Sequence, residues 1–337
     1  MKRSIPILLL AVTIAFAIAL LHQAQGSAPH AESRIVDPNY IHSYEPIEPL
    51  PLTITLNVKK VALGEKLFND VRLSRNNSIS CSSCHLVSAG GADSRVRSVG
   101  IDGRDGSINA PTVFNAGFNF RQFWDGRAET LEAQVDGPTH EFSEMDSNWL
   151  EITGKLQLAP EYREAFAELY PRGIEKHSIQ DAIATFERSL VTPNSRFDRF
   201  LRGEVSALSD EEKKGYALFK DRGCSSCHQG INAGGNMFQK FGAMGDYFAS
   251  RGNQTKADLG RFNVTGDNRD RHVFKVPSLR NVALTAPYFH DGSTVRLEDA
   301  VAIMAKYQLG DELSAKEISQ IVSFLKTLSG EYKGKAL

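Results

Sequence analysis

The sequence has no excess of basic residues. It contains 39 Lys and Arg against 40 Asp and Glu in 337 residues, which gives a formal net charge of −1. Because surfaces that bind phosphate backbones need clustered positive charge, this balance predicts no nucleic-acid partner. Hydrophobic residues make up 41% and charged residues 23% of the chain, a composition that supports ordinary globular cores.

Cysteine is scarce, with four residues in the whole chain, too few for a disulfide scaffold of this size. All four lie in two copies of the pentapeptide Cys-Ser-Ser-Cys-His, at 81–85 and 224–228. C-x-x-C-H is the attachment signature of c-type haem. A zinc site and a redox dithiol are the alternatives, and neither requires a histidine after the second cysteine. The sequence therefore predicts two covalently bound haem c groups. Their thioether residues are Cys81, Cys84, Cys224 and Cys227, and their proximal iron ligands are His85 and His228.

The first residues of the chain have the features of an export signal. Lys2 and Arg3 precede an uncharged apolar run from 4 to 21, and Ala24-Gln25-Gly26 has small residues at both outer positions. This pattern predicts a secretory signal peptide over 1–26. An uncleaved membrane anchor is the alternative, because about 20 apolar residues can span a bilayer. Both interpretations place the remainder of the chain in the periplasm, where bacteria attach haem covalently.

Five prolines punctuate the segment that follows the apolar run, residues 27–54. Such a segment favours extended backbone and acts as a tether or a wrapped arm. A plain leader to the first domain is the favoured interpretation.

The chain contains an internal duplication. The pattern Gly-x-x-Leu-Phe-x-Asp precedes both haem motifs, at 64–70 and 215–221. Downstream, residues 111–115 align without gaps with 277–281, and residues 123–126 with 289–292. Internal self-similarity of this kind indicates repeated structural units. It predicts a haem domain over 55–200 and a second over 201–337.

Helical signals dominate the sequence. Ser178-x-x-Asp181 opens an apolar helical run, capping boxes begin at Ser209 and Ser314, and Gly330 is a candidate C-cap. Strand alternation is rare, and residues 229–275 have the composition of a long loop. The predicted fold class is mainly α, with two cytochrome c-like domains, each formed by a few helices around one covalently attached haem.

The chain resembles the bacterial dihaem cytochrome c peroxidases over residues 55–330. The resemblance rests on four motifs: Asn109-Ala110-Pro111-Thr112, Gln122-Phe123-Trp124-Asp125-Gly126-Arg127, the run Asn281-Val282-Ala283-Leu284-Thr285-Ala286-Pro287-Tyr288-Phe289-His290, and Ala302-Ile303-Met304. It implies a periplasmic enzyme that reduces hydrogen peroxide to water with electrons from a small cytochrome c or a cupredoxin. It also implies a homodimer, which nothing in this chain tests.

The two haems are expected to have different axial ligands. Met304 follows His228 by 76 positions, and by itself it is equally an axial ligand or a core methionine. The resemblance implies the ligand, and hence an electron-transfer haem in the second domain. Pro138 stands at the equivalent position of the first domain, so the resemblance implies that peroxide binds at the first haem.

The resemblance also assigns roles around the first haem. It implies that Glu144 is the acid and base that moves a proton between the two oxygens of peroxide, and that Gln134 and Met145 line the pocket. The residues alone would make Glu144 one of several solvated acids in a loop. Trp124, otherwise a large core residue, is expected between the two haems. The resemblance further implies a calcium ion bound by Asn109, Thr285 and Pro287.

The sequence departs from the family pattern at one position. Many relatives carry a histidine, 16 residues after the first haem histidine, that closes the resting peroxidatic haem. This chain has Ile101 there, and isoleucine cannot bind iron. Either the first haem is open at rest, the interpretation we favour, or another residue, best represented by His140, closes it.

Two other functions remain as alternatives. A non-enzymatic dihaem electron carrier would be expected to have both irons closed by strong ligands, which Ile101 argues against. Dihaem enzymes that oxidise residues of a partner protein have tyrosine where this chain has Met304.

Overall fold

The computed structural model describes residues 45–337, which lie within one compact unit. The predicted signal peptide and residues 27–44 of the leader fall outside the described residues. Helices are the main regular elements, and the strands are short. The helices are α1 (Val58–Phe68), α2 (Leu131–Gln134), α3 (Asp136–His140), α4 (Trp149–Gln157), α5 (Pro160–Leu169), α6 (Lys176–Ser189), α7 (Arg196–Leu201), α8 (Asp210–Asp221), α9 (Tyr247–Arg251), α10 (Phe262–Thr265), α11 (Leu297–Ile303) and α12 (Ala315–Lys326). The strands are β1 (Phe238–Lys240), β2 (Val273–Lys275), β3 (Glu331–Tyr332) and β4 (Lys335–Ala336).

The prediction of a mainly α fold is confirmed. Two antiparallel ribbons complete it: β1 pairs with β2 and β3 pairs with β4. Among the helices of residues 45–337, none combines the length and the apolar character needed to cross a bilayer.

Each half of the molecule is built on a pair of crossing helices. Helix α1 packs against α6 in the first half, and α8 packs against α12 in the second. The duplicated glycine stands at each crossing: a Cβ on Gly64 would lie 2.0 Å from the carbonyl oxygen of Ala182, and one on Gly215 would lie 2.0 Å from that of Gln320. Glycine therefore allows the backbones to approach closely in both halves.

The duplication extends to the backbone downstream of each haem motif. Asn115 and Asn281 both have φ 61°, and Phe123 and Phe289 both have φ 69°. The two asparagines donate their side-chain amides to the same buried hydroxyl, that of Thr192, at 2.8 and 2.9 Å. Thr192 thereby joins equivalent points of the two halves.

Both ends of the described chain pack across the molecule. Ile47 and Leu50 are fully buried, and Ile47 belongs to the core of the second half together with Phe197 and Phe324. The described part of the leader is thus a wrapped arm, and the plain leader favoured from the sequence is wrong for these residues. At the other end, Tyr332 and Leu337 pack against the core of the first half.

Three local predictions need correction. Helix α6 begins at Lys176, because Glu175 rather than Ser178 is its N-cap. Helix α12 ends at Lys326, and Gly330 instead lies against the backbone of Thr192. Residues 229–275, predicted as a loop, contain β1, β2 and two short helices. By contrast, Ser209 and Ser314 cap their helices as predicted.

Candidate functional site

The two Cys-Ser-Ser-Cys-His segments adopt the same conformation. Each begins with a single 3-10 turn, Cys81–Ser83 in the first half and Cys224–Ser226 in the second. Burial raises the pKa of the Cys81 thiol, and it raises that of the Cys224 thiol to about 11. No cysteine of the described residues is in a disulfide, so all four thiols are available for thioether bonds.

The histidines of both segments are half-buried and neutral. Burial lowers the pKa of His85, and it lowers that of His228 to about 4. His85 Nδ1 lies 3.3 Å from the carbonyl oxygen of Gly91. His228 Nδ1 is a buried atom without a hydrogen-bond partner among the described residues. A neutral imidazole is the form that binds iron, so these residues fit a haem in each half.

Met304 shares a cavity with the second haem motif. The cavity is lined mainly by apolar side chains, among which Cys224, Cys227 and His228 lie together with Met304. Helix α11 ends at Ile303 and continues as a π-helical turn over Met304–Leu309. Such turns are frequent at functional sites. The structure therefore brings together the two side chains predicted to be the axial ligands of the second haem.

Trp124 reaches from the first half to the wall of this same cavity. Its indole nitrogen donates to the carbonyl oxygen of Asn109 at 3.0 Å, and its ring meets that of His290 edge-on, with centroids 6.4 Å apart. The backbone N–H of Asn109 donates to the carbonyl oxygen of His290 at 2.8 Å. Trp124 and His290 occupy equivalent positions of the duplication, so the two halves meet through these residues.

The residues predicted to bind calcium line the cavity of the second haem motif. Asn109, Thr285 and Pro287 all belong to the wall of that cavity. The Asn109 amide nitrogen donates to the carbonyl oxygen of Arg95 at 2.8 Å, so its amide oxygen is the atom that suits a cation.

A different cluster, formed by Asp258, His290 and Asp291, also has metal-binding geometry. The Arg251 guanidinium already bonds both of its carboxylates, and His290 Nε2 lies 2.7 Å from Asp258. We therefore interpret this cluster as a structural charge network.

Around the first haem motif, Glu144 is held by the segment that contains Ile101. The backbone N–H of Ile101 donates to the carbonyl oxygen of Glu144 at 2.8 Å, and Ile101 is fully buried. Burial, followed by the nearby Glu141, raises the pKa of Glu144. The Glu144 charge also acts on the thiols of Cys81 and Cys84. A half-buried carboxyl with a raised pKa thus lies near the first haem-attachment site.

The other residues named for this pocket have different positions. Met145 is buried in the core of the first half, which Cys81 also contacts. Gln134 is half-buried at the end of α2. His140 is exposed, and its Nδ1 lies 2.8 Å from the carbonyl oxygen of Asp136.

Sequence reasoning missed Lys275. This residue is 7% exposed and lines the second haem cavity. Burial is the cause that lowers its pKa to about 8, and no carboxylate in residues 45–337 opposes this effect as a charged partner. The sequence signal that could have indicated a buried lysine is its position among apolar residues, in Val273-Phe274-Lys275-Val276. Its ammonium suits the propionates of a bound haem.

Glu187 was also missed. It lies on α6 and is 7% exposed, and its Oε2 has no hydrogen-bond partner within the part of the chain that the structure describes. Burial raises its pKa to about 8, against the opposing effect of Arg188. The residue is one acid in a buried apolar helix face, a pattern that sequence alone does not distinguish from a surface position.

Two attachment segments of similar conformation, each with a half-buried neutral histidine, define a c-type cytochrome with two haems. Family models support this class. A model described as di-haem cytochrome c peroxidase matches residues 58–206, and one described as cytochrome c matches residues 212–329.

Comparisons that cover about 85% of the chain identify the family. The chain is 49% identical over 292 residues to cytochrome c peroxidase Ccp of Escherichia coli, covering 86% of this chain but 62% of that protein. It is 46% identical over 290 residues to cytochrome c551 peroxidase of Nitrosomonas europaea, covering 85% of each. The solved structure of a MauG-like protein associated with microbial copper homeostasis aligns with TM-score 0.72 and 31% identity, over 86% of this chain and 95% of that one. The chain belongs to the di-haem cytochrome c peroxidase family. The predicted fold of two cytochrome c-like domains is thereby confirmed.

Proposed function

We propose that this chain is a cytochrome c peroxidase that reduces hydrogen peroxide to water. Each turnover consumes one peroxide, two electrons and two protons and yields two waters. Electrons come from a small cytochrome c or a cupredoxin and enter at the second haem, and peroxide binds at the first. One observation carries the proposal: Met304 and His228 share the second cavity, whereas the first attachment site has a half-buried acid, Glu144, beside the non-ligating Ile101.

The bound haems supply the iron that exchanges electrons and cleaves the oxygen–oxygen bond. Glu144 accepts a proton from one peroxide oxygen at its carboxylate and returns it to the other. Gln134 and Met145 form the pocket walls. Trp124 lies between the two halves, where an aromatic ring assists electron passage. Met304 would bind the iron of a haem held in the second cavity, and a methionine ligand would favour a high reduction potential.

The remaining assignments extend the same proposal. The domains divide near residue 200, a calcium ion bound by Asn109, Thr285 and Pro287 holds the halves together, and the enzyme is periplasmic and homodimeric. Residues 1–26 are either cleaved or retained as an anchor.

We expect that a haem bound in the first half would have an open coordination position in the resting enzyme. Ile101 offers no ligand atom, and His140 faces solvent. Electron paramagnetic resonance of the oxidised protein tests this statement. A dominant high-spin ferric signal is expected, and spectra with low-spin signals alone would contradict it.

The deciding experiment is peroxide-dependent oxidation of a reduced small cytochrome c by fully oxidised holoprotein. Rapid turnover without prior reduction is expected. Turnover only after half-reduction would retain the peroxidase and require a closing ligand other than residue 101. Absence of turnover in both states, with calcium added, would favour a non-enzymatic electron carrier.

A further inference from the structure

Glu187 is a buried acid near the first haem-attachment site. The peroxide reaction proposed above assigns it no role. The Glu187 carboxyl is the charged neighbour that acts most strongly on the thiol of Cys81. Cys81 in turn packs against the hydrophobic core that contains Ile183 and Phe186 of the same helix, α6. The Glu187 side chain is therefore enclosed on the side of α6 that faces the first haem motif.

This carboxyl lacks the partners that buried carboxylates usually have. Its Oε2 is a buried oxygen without a hydrogen bond among residues 45–337. Arg188, the adjacent cation, is engaged elsewhere: its guanidinium bonds Glu132 at 2.7 Å. A buried carboxylate without a partner is costly, so the group keeps its proton to a higher pH than usual.

In the described part of the chain, the elements that pack against α6 place one further acid, and no unpaired cation, near the Glu187 carboxyl. Glu132 of α2 faces Glu187 and disfavours its ionisation. Residues 116–118 carry no charge. The charged side chains of α1 make contacts elsewhere: Lys59 with Glu168, Lys60 with Asp181, Glu65 with Lys333, and Lys66 with the ring of Tyr162.

We propose that Glu187 is a redox-linked proton site of the first haem, taking up a proton at its carboxylate when the iron is reduced. Ferric iron gains one electron, and Glu187 gains one proton from solvent, so the local charge is unchanged. The physical reason is electrostatic. Reduction adds one negative charge near an acid in a poorly solvated site, which favours the protonated carboxyl. The inference requires only a haem at Cys81 and Cys84 and is independent of peroxide turnover.

The proposal predicts a pH-dependent reduction potential. Above the pKa of Glu187, about 8 in the structure, reduction requires proton uptake and the potential falls as pH rises. The limiting slope is ~59 mV per pH unit, the one-electron equivalent of a tenfold change in proton concentration. The slope ends where the carboxyl stays ionised in both redox states.

Potentiometric titration of the holoprotein at a series of pH values tests this, comparing wild type with E187Q and K275Q. In E187Q, the reduction potential of the first haem is expected to lose its pH dependence above about pH 8. The reduction potential of the second haem should keep its wild-type pH dependence. K275Q, which changes a buried cation of the second cavity, should affect the reduction potential of the second haem. The proposal is overturned if E187Q retains both wild-type slopes, or if both variants alter the same potential.

Two further measurements cover the case in which E187Q does not incorporate haem. E187D keeps the carboxyl and should move the pH window, and an unmoved window would count against the proposal. At a pH above about 8, infrared difference spectra, reduced minus oxidised, should show a gain of protonated carboxyl in wild type that persists in E144Q. Loss of that band in E144Q would assign the proton to Glu144 instead.

Discussion

At the level of single side chains, the two haem sites differ in what stands near each attachment turn. Methionine is available to the second site, whereas the first has a buried isoleucine and a half-buried acid. Methionine ligation suits electron transfer, and an unligated iron beside an acid suits peroxide cleavage. The difference in function that we propose for the two duplicated domains thus depends on a few residues.

Replacing Glu144 by Gln tests the acid at the first site. The amide keeps the size of the side chain but cannot accept and return a proton. We expect kcat for peroxide reduction to fall roughly a hundred- to ten-thousand-fold, with KM for the electron donor unchanged.

Glu141 provides the matched control, because it is an exposed acid in the same loop. E141Q should retain nearly wild-type kcat. Equal losses in E141Q and E144Q would indicate a general effect of loop charge and would remove the special role of Glu144.

Lys275 should raise the potential of the second haem. A positive charge in the cavity stabilises the reduced state, so K275Q should lower this potential by on the order of 50 mV, equivalent to about 1 kcal/mol. The difference from wild type should persist below the lysine pKa of about 8 and shrink above it, as the ammonium loses its proton. A difference that stays constant across this pH range would show that lost packing, rather than lost charge, is responsible.

At the level of elements, the close approach of the crossing helices requires glycine at the crossing point. In G64A the new methyl group would meet the backbone of Ala182. Overpacking of this kind costs about 1–3 kcal/mol and exceeds the ~1 kcal/mol that alanine gains in a helix. Denaturant unfolding of the holoprotein should therefore show a lower free energy of unfolding.

Gly154 is the control for this substitution, because it lies within α4 and a Cβ there would meet no atom within 4 Å. G154A should be stabilised by ~1 kcal/mol through helix propensity alone. Stabilisation of both variants would mean that α1 and α6 can separate without cost.

Local signals in the sequence predicted those features that depend on local contacts. The capping boxes at Ser209 and Ser314 are correct because each closes within four residues. The prediction of Gly330 as a helix C-cap was wrong, because this glycine instead packs against the backbone of Thr192, which is distant in sequence. The haem residues were predictable from spacing, whereas Lys275 and Glu187 were not, because their burial depends on contacts between separate elements.

At the level of the whole molecule, the two halves are joined by exchanged chain ends. Residues near 47 complete the second core, and Tyr332 packs edge-on against Phe114 in the first, with ring centroids 5.1 Å apart. The division of the chain into two haem domains is therefore not a division into two independent packing units.

Removing residues 331–337 should destabilise the first half. The truncation deletes the Tyr332 and Leu337 contacts and the hydrogen bond from Asn194 to Glu331. We expect a loss of about 2 kcal/mol, the order of one large buried apolar side chain. Unfolding monitored at the first haem measures it, with the exposed K335A as control. An unchanged midpoint would show that these contacts contribute nothing.

The exchanged ends also set an order of packing for a chain that emerges from its N-terminal side. The first half emerges before the second, yet its core lacks Tyr332 and Leu337 until residues 332 and 337 have followed. The second half, by contrast, finds its N-terminal contribution at Ile47 already made. The half that is made first is therefore the one that finishes packing last.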